Sequence, residues 1–191
     1  MLAQLNTVFS RMASPLILKV SLDDRPVSQE LKGYMEELAK LTDKLTVEVE
    51  NGDEAPCVRI YREDGSYSGL AFHGVPGGHE FTSFVLGLYN AAGPGQPLDP
   101  DVRSAIASLG KKDLQVLVSL SCTMCPELVM AAQRIAAENP LVTAEVYDLT
   151  HFPALREKYN VMSVPCLVVD DGKTIAFGKK NARQLLELLR K

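Results

Sequence analysis

The sequence predicts an α/β fold in which two units of one plan follow each other, each a sheet between helices in three layers. Three observations predict it. Helix and strand periods alternate along all 191 residues. The second half repeats the element order of the first, with matches at single residues. A strand and a helix bracket Cys122 and Cys125, and that pair has no counterpart in the first half.

The elements follow in order. Leu5, Val8, Phe9 and Met12 sit at helical spacing, and Pro15 stops that helix. Leu16 to Leu22 reads as a strand. Leu31, Met35, Leu38 and Thr42 mark a second helix, entered near Ser28. Leu45 to Glu50 alternates as a strand and turns at Asn51-Gly52-Asp53. Cys57–Arg62 and Tyr67–Phe72 form a hairpin around Asp64-Gly65, and Phe81, Phe84, Val85 and Leu88 give a third helix. Gly93-Pro94-Gly95-Gln96-Pro97 breaks the pattern, which sets the units at residues 1–95 and 96–191.

In the second unit Asp99 caps a helix with Pro100 at its first position, and Gly110 ends it. Leu114 to Leu120 is a strand. Leu128, Ala132, Ile135 and Ala136 share one helix face, closed by Asn139-Pro140. Leu141 to Tyr147 is a strand, and Thr150 caps a short helix through Tyr159 that the first unit lacks. Cys166–Val169 and Thr174–Phe177 form a hairpin around Asp171-Gly172, before a final helix holding Leu185, Leu186, Leu188 and Leu189. The two hairpins match: Ala55-Pro56-Cys57-Val58 resembles Val164-Pro165-Cys166-Leu167, and Phe72 and Gly74 answer Phe177 and Gly178.

This order resembles the thioredoxin fold, twice over. In the second copy Ser121-Cys122-Thr123-Met124-Cys125-Pro126 lies between an apolar strand and an amphipathic helix. A helix N-terminus offers unpaired N–H groups and positive dipole, which favour a thiolate at Cys122. Cys125, in the first turn, reaches the same sulfur. Cys122 is thus the candidate nucleophile and Cys125 the resolving thiol of a redox-active disulfide. The thioredoxin resemblance implies that Val164-Pro165 is a cis bond beside the pair. Its backbone, with Thr123 and Met124, would receive the substrate peptide. Pro56 is the repeat mate of Pro165. Cys57 and Cys166, one residue past these prolines, read as small core residues. The alternative joins Cys166 to Cys122 and Cys125 in a metal or iron–sulfur site.

Three segments are similar to one family. Gly78-His79-Glu80-Phe81-Thr82-Ser83, Ser119-Leu120-Ser121-Cys122 through Cys125-Pro126, and Asn160-Val161-Met162-Ser163-Val164-Pro165 resemble motifs of the N-terminal domain of AhpF, the bacterial flavoprotein of alkyl hydroperoxide reductase. That resemblance spans nearly the whole chain. It implies a dithiol carrier between a flavin disulfide reductase module and a two-cysteine peroxiredoxin. FAD and NAD(P)H would sit on that separate module, because no G-x-G-x-x-G opens a helix here. Thr123-Met124 departs from the His-Asn common in the family. The strand before the cysteines also lacks the buried acid of ordinary thioredoxins, with only Gln115 and Ser119 as polar members. The resemblance implies that Glu80 serves as base for Cys125 across the cleft between the units. The alternative is a carboxylate decorating a helix start.

Asp23-Asp24-Arg25-Pro26 occupies the place of the cysteine pair in the first unit, which reads as redox-inactive scaffold. His73, His79 and His151 read as surface, loop or cap residues. Composition narrows the function further. Apolar residues make up 46%, charged residues 23%, and the formal net charge is −4, which argues against nucleic acid as partner. No apolar run approaches about 18 residues, and Gln4, Asn6 and Arg11 interrupt any signal-like stretch. Four cysteines are too sparse for a disulfide-built secreted fold. A cytoplasmic location and a possible homodimer complete the expectations. The competing function is a general protein disulfide oxidoreductase.

Overall fold

The structure, a computed structural model, describes residues 2–191. Its elements are α1 (Leu2–Arg11), β1 (Leu16–Ser21), α2 (Pro26–Ala39), β2 (Leu45–Glu50), β3 (Cys57–Arg62), β4 (Tyr67–His73) and α3 (Phe81–Ala92) in the first half. The second half contributes α4 (Pro100–Ala107), β5 (Lys112–Val118), α5 (Cys125–Glu138), β6 (Val142–Asp148), α6 (Ala154–Lys158), β7 (Cys166–Val169), β8 (Thr174–Phe177) and α7 (Ala182–Leu189).

The repeat read from the sequence is a repeat of pairing. The first half orders its strands β2-β1-β3-β4 and the second β6-β5-β7-β8, with one parallel and two antiparallel ladders in each. The matched hairpins even share a bond. Gly74 N–H donates to the Pro56 carbonyl at 2.9 Å, and Gly178 N–H to the Pro165 carbonyl at 3.0 Å. Ala55-Pro56 and Val164-Pro165 are both cis, as is Gly93-Pro94 in the linker.

The halves do not merely touch. β4 pairs in parallel with β6, from Leu70 opposite Ala144 to His73 opposite Tyr147, which makes one eight-stranded sheet. Side chains alternate across a strand, so each sheet face has its own core. Leu18, Val20, Val58, Ile60, Phe72, Val116, Val146 and Leu167 share one cluster with the helix residues Leu31, Phe84, Leu88, Leu128 and Ile135. The opposite alternation, Leu117, Tyr147, Cys166 and Val168, forms a second cluster under Phe152 and Leu155 at α6. Among the described residues the first half has no counterpart of α6. On its part of that face Lys19 lies over the Tyr61 ring, 4.1 Å from its centre. The linker is tied at both sides: Asn90 Oδ1 accepts the Gln96 N–H at 2.8 Å, and Arg134 Nε donates to the Gln96 carbonyl at 2.9 Å.

Several boundaries move for local reasons. The strand read as Leu114–Leu120 ends at Val118, because the Ser119 carbonyl accepts the Cys122 N–H and turns the chain. Thr150 does not cap the short helix. Asp148 Oδ1 accepts the Thr150 N–H at 3.0 Å, and α6 starts later with Pro153 at its cap position. Asp99 stands at the cap of α4 but makes no capping bond, and its carboxylate pairs with Arg183 Nη2 at 2.9 Å.

Gly69 marks how close the two halves lie. Its φ is +88°, and a Cβ there would stand 2.8 Å from the Val142 carbonyl oxygen at the start of β6. Gly69→Ala combines left-handed strain with a backbone clash. It is expected to lower stability by about 2 kcal/mol or more. Urea unfolding checks this: the midpoint should fall with the slope unchanged, and an unmoved midpoint would contradict the close β4–β6 approach.

Candidate active site

α5 begins at Cys125, with Met124 at its cap position and Pro126 in the first turn. Proline suits that turn because the N–H it lacks has no intrahelical partner there. Cys125 is therefore the first helical residue and is fully buried. Cys122 lies two residues outside the cap, half-buried, a little before the helix end itself. Both are free thiols. Cys122 Sγ lies 3.9 Å from the Val164 carbonyl, the residue before cis Pro165. The chain thus brings together two segments 42 residues apart. Thr123 and Met124 are exposed beside Cys122, and Pro165 is buried. Met162, three-quarters exposed in the loop before Val164, adds an apolar surface that the sequence reading passes over.

The first half reaches the same place. Gly78–Glu80 forms one 3-10 turn leading into α3. The exposed His79 donates its backbone N–H to the Leu120 carbonyl at 3.1 Å, two residues before Cys122. Gly78 has φ +54°, and a Cβ there would meet that same carbonyl at 2.8 Å, so the contact needs glycine. Glu80 is fully buried at the cap position of α3 and makes no capping bond. Ser83 Oγ donates to its Oε1 at 2.5 Å, and Oε2 has no partner among the described residues.

Burial pushes the Glu80 carboxyl up from an ordinary 4.5 to about 7, opposed only by the Ser83 hydrogen bond. Burial also pushes the Cys125 thiol well above the usual range, and the neighbouring Cys122 and the Glu80 charge add to this. An anion at Glu80 disfavours one at Cys125. The two groups are therefore suited to exchange a proton rather than to ionise together.

The remaining cysteines lie elsewhere. Cys166 sits in the cluster under α6, whereas Cys125 packs in the opposite core, and burial raises the Cys166 thiol to about 11. The physical reason is the strand alternation that follows Pro165. Among the described residues the three thiols do not form a ligand group within 4.8 Å, so this geometry does not favour a three-cysteine cluster. Cys57 is buried on β3.

His73 corrects the sequence reading, which leaves it at the surface. It is fully buried, because β4 is not an edge strand. Its ring stacks on Tyr147, 3.8 Å between centres, while Nδ1 faces the Val146 carbonyl and Nε2 faces Glu54 Oε2, each at 3.1 Å. Glu54, His73 and Glu145 lie close enough to hold a metal ion. Arg59 Nη2, however, stands 3.3 Å from Glu54 and 3.7 Å from Glu145. The carboxylates already have a cation, and the cluster is an ion-pair network joining the halves. Against its burial, His73, then the Tyr147 hydroxyl and the Arg59 charge hold the Glu54 carboxyl down to about 2. In the first half's own cysteine-pair position, Arg25 donates to the carbonyls of Ala55 at 2.6 Å and His151 at 2.9 Å. His151 is half-buried and supplies that backbone contact.

A thioredoxin-like sheet, one C-x-x-C before a helix and a cis-proline against its first sulfur define a thiol–disulfide oxidoreductase. Comparisons with known proteins agree. The thioredoxin domain family model matches residues 112–190. The N-terminal domain of alkyl hydroperoxide reductase AhpF from Enterococcus faecalis has a similar structure, with a TM-score of 0.94 and 36% identity over 99% of this chain and 97% of that one. The AhpF protein of the Pseudomonas aeruginosa alkyl hydroperoxide reductase is 32% identical over 184 residues, covering 96% of this chain and 35% of its own length. A protein disulfide oxidoreductase from Aeropyrum pernix shares the fold at a TM-score of 0.82 and 19% identity, over 99% of this chain and 90% of that one. The chain belongs to the AhpF family of alkyl hydroperoxide reductases and corresponds to its N-terminal domain. It spans about a third of the length of the curated relatives. Among the described residues no helix is long and apolar enough to cross a membrane.

The buried carboxyl has a consequence for stability. Between pH 4.5 and about 7 Glu80 keeps its proton in the folded chain and loses it in the unfolded one. Stability contributed by this group therefore falls as pH rises through that window. Glu80→Gln removes the ionisation. It should match the parent near pH 4 and exceed it by roughly 3 kcal/mol above pH 8. Chemical denaturation at both pH values tests this, and an equal difference at the two would contradict a buried, unpaired acid.

Proposed function

We propose that this chain carries two electrons from a flavin disulfide reductase module to the disulfide of a two-cysteine peroxiredoxin, and so supports peroxide reduction. The observation that carries the reading is the meeting of three segments at one sulfur pair: Cys122 at the Val164 carbonyl, Cys125 buried behind it, and Glu80 contributed by the other half. Residues 1–95 act as a redox-inactive unit that supplies the acid, and residues 96–191 as the redox-active one. FAD and NAD(P)H belong to the reductase module, in the same or a separate polypeptide. The work takes place in the cytoplasm.

The proposed transfer divides into two thiol steps. The Cys122 thiolate attacks one sulfur of the partner disulfide, forming a mixed disulfide and releasing one partner thiolate. The backbone beside Pro165, with Thr123 and Met124, seats the peptide around that disulfide. Cys125 then gives its proton to the Glu80 carboxylate and attacks Cys122 Sγ. The Cys122–Cys125 disulfide forms, and the second partner thiolate leaves. Two electrons pass to the partner, and the flavin module returns two to the chain. Glu80 suits the base role because its burial sets its proton affinity near neutrality, where a general base is most effective. A general disulfide reductase with two sites is disfavoured by Asp23-Asp24-Arg25-Pro26 in the first half.

Mixing pre-reduced protein with an oxidised bacterial two-cysteine peroxiredoxin tests the assignment. Stoichiometric transfer, abolished in Cys122→Ser, is expected. Cys125→Ser should stop at a mixed disulfide visible on a non-reducing gel. Absence of transfer, with both thiols still titratable, would reject the peroxiredoxin as substrate.

A further inference from the structure

The Glu80–Ser83 pair has a geometry that a plain helix start does not explain. A cap-position side chain ordinarily accepts a backbone N–H from the next turn. Glu80 does not. Its side-chain donor among the described residues is the hydroxyl of Ser83, itself only 1% exposed. That hydroxyl has a second acceptor in reach, the Glu80 backbone carbonyl at 2.9 Å. A serine has one proton to donate, so the two acceptors compete for it.

We propose that Ser83 is a positioning residue for the thiol chemistry: its hydroxyl engages Oε1 of Glu80 and leaves Oε2 to take up and return the proton exchanged with Cys125. This rests on Glu80 acting as the base. The charge state of Glu80 decides where Ser83 donates. A carboxylate is the stronger acceptor and draws the hydroxyl to Oε1. Once Oε2 is protonated, the hydroxyl is free to turn to the backbone carbonyl. Ser83 therefore favours the charged form selectively and works against the burial that raises the Glu80 proton affinity. Among the described residues no cation does this job: burial and Ser83 are the two influences on Glu80, with His79 exposed beside it. From the second half it is the Cys125 thiol that feels the Glu80 charge, with Cys122 next to it. Tyr34 of α2 lies on the other flank, its hydroxyl near Gly77 and its ring edge-on to Phe81.

The test follows the two thiol steps separately, using the whole chain pre-reduced and mixed rapidly with a chromogenic nitrobenzoate disulfide. The first released thiolate reports attack by Cys122, and the second reports closure by Cys125. The pH midpoint of the second phase is the readout. Ser83→Ala is expected to move that midpoint upward by about one pH unit, which makes closure about tenfold slower on the rising limb. The first phase should not change, and Ser83→Thr, which keeps the hydroxyl, should restore the parent profile. A midpoint unmoved in Ser83→Ala, with the second phase of Glu80→Gln made slow, would overturn the role of Ser83 and leave the base in place. A second phase unaltered in Glu80→Gln would overturn the base reading and this inference with it. Loss of both phases in Ser83→Ala would mark misfolding. In that case the carbon-13 titration of Glu80 in Ser83→Thr decides, and a midpoint displaced from the parent's overturns the inference.

Discussion

The parallel pairing of β4 with β6 is the constraint on which everything else depends. Each half alone would leave a sheet edge of unpaired N–H and C=O groups. Joining the edges satisfies both and fixes the relative placement of the halves to within a ladder register. The helices of the two halves then pack on one side, with α3 against α5. Gln133 lies so near Gly87 that a Cβ there would stand 2.8 Å from its Oε1. The 3-10 turn before α3 is carried by that same packing onto Leu120.

The first half carries no cysteine pair of its own, yet it is built into the same sheet. It has an arginine where a cysteine would stand, and that arginine ties its own proline loop to the second half. Near the cysteine pair it places the His79 N–H on the Leu120 carbonyl and a buried carboxyl, Glu80, whose charge raises the Cys125 thiol. An acid in the strand before the cysteines would occupy the core of the redox half itself. Here Leu114, Val116 and Val118 fill that core, and the buried Glu80 carboxyl belongs to the other half.

The second face of the sheet shows the same division. In the redox half α6 covers it with apolar residues. Over the first half, where no such helix lies among the described residues, His73, Glu54 and Arg59 form an ion-pair network with Glu145 of β6, roofed by the segment before Pro56. Paired charges there avoid the cost of isolated buried ones. They lie on the sheet face opposite the core that holds Cys125.

What the sequence by itself determined was local. Periodicity set the strands and helices, the repeat set the matching hairpins, and Cys122-Thr123-Met124-Cys125 before a helix set the chemistry. Backbone geometry and side-chain alternation are written in neighbouring residues, so these could be read directly. The likeness of three short segments to one family pointed to Glu80. Only the tertiary structure decided its environment, because burial depends on what packs against a residue. Glu80 is buried beside a turn held to Leu120, 40 residues onward, His73 is buried against a strand of the other half, and the one proton of Ser83 has two acceptors in reach. None of these leaves a trace in local pattern: the same residues on a free edge or an open helix start would be solvated and ordinary.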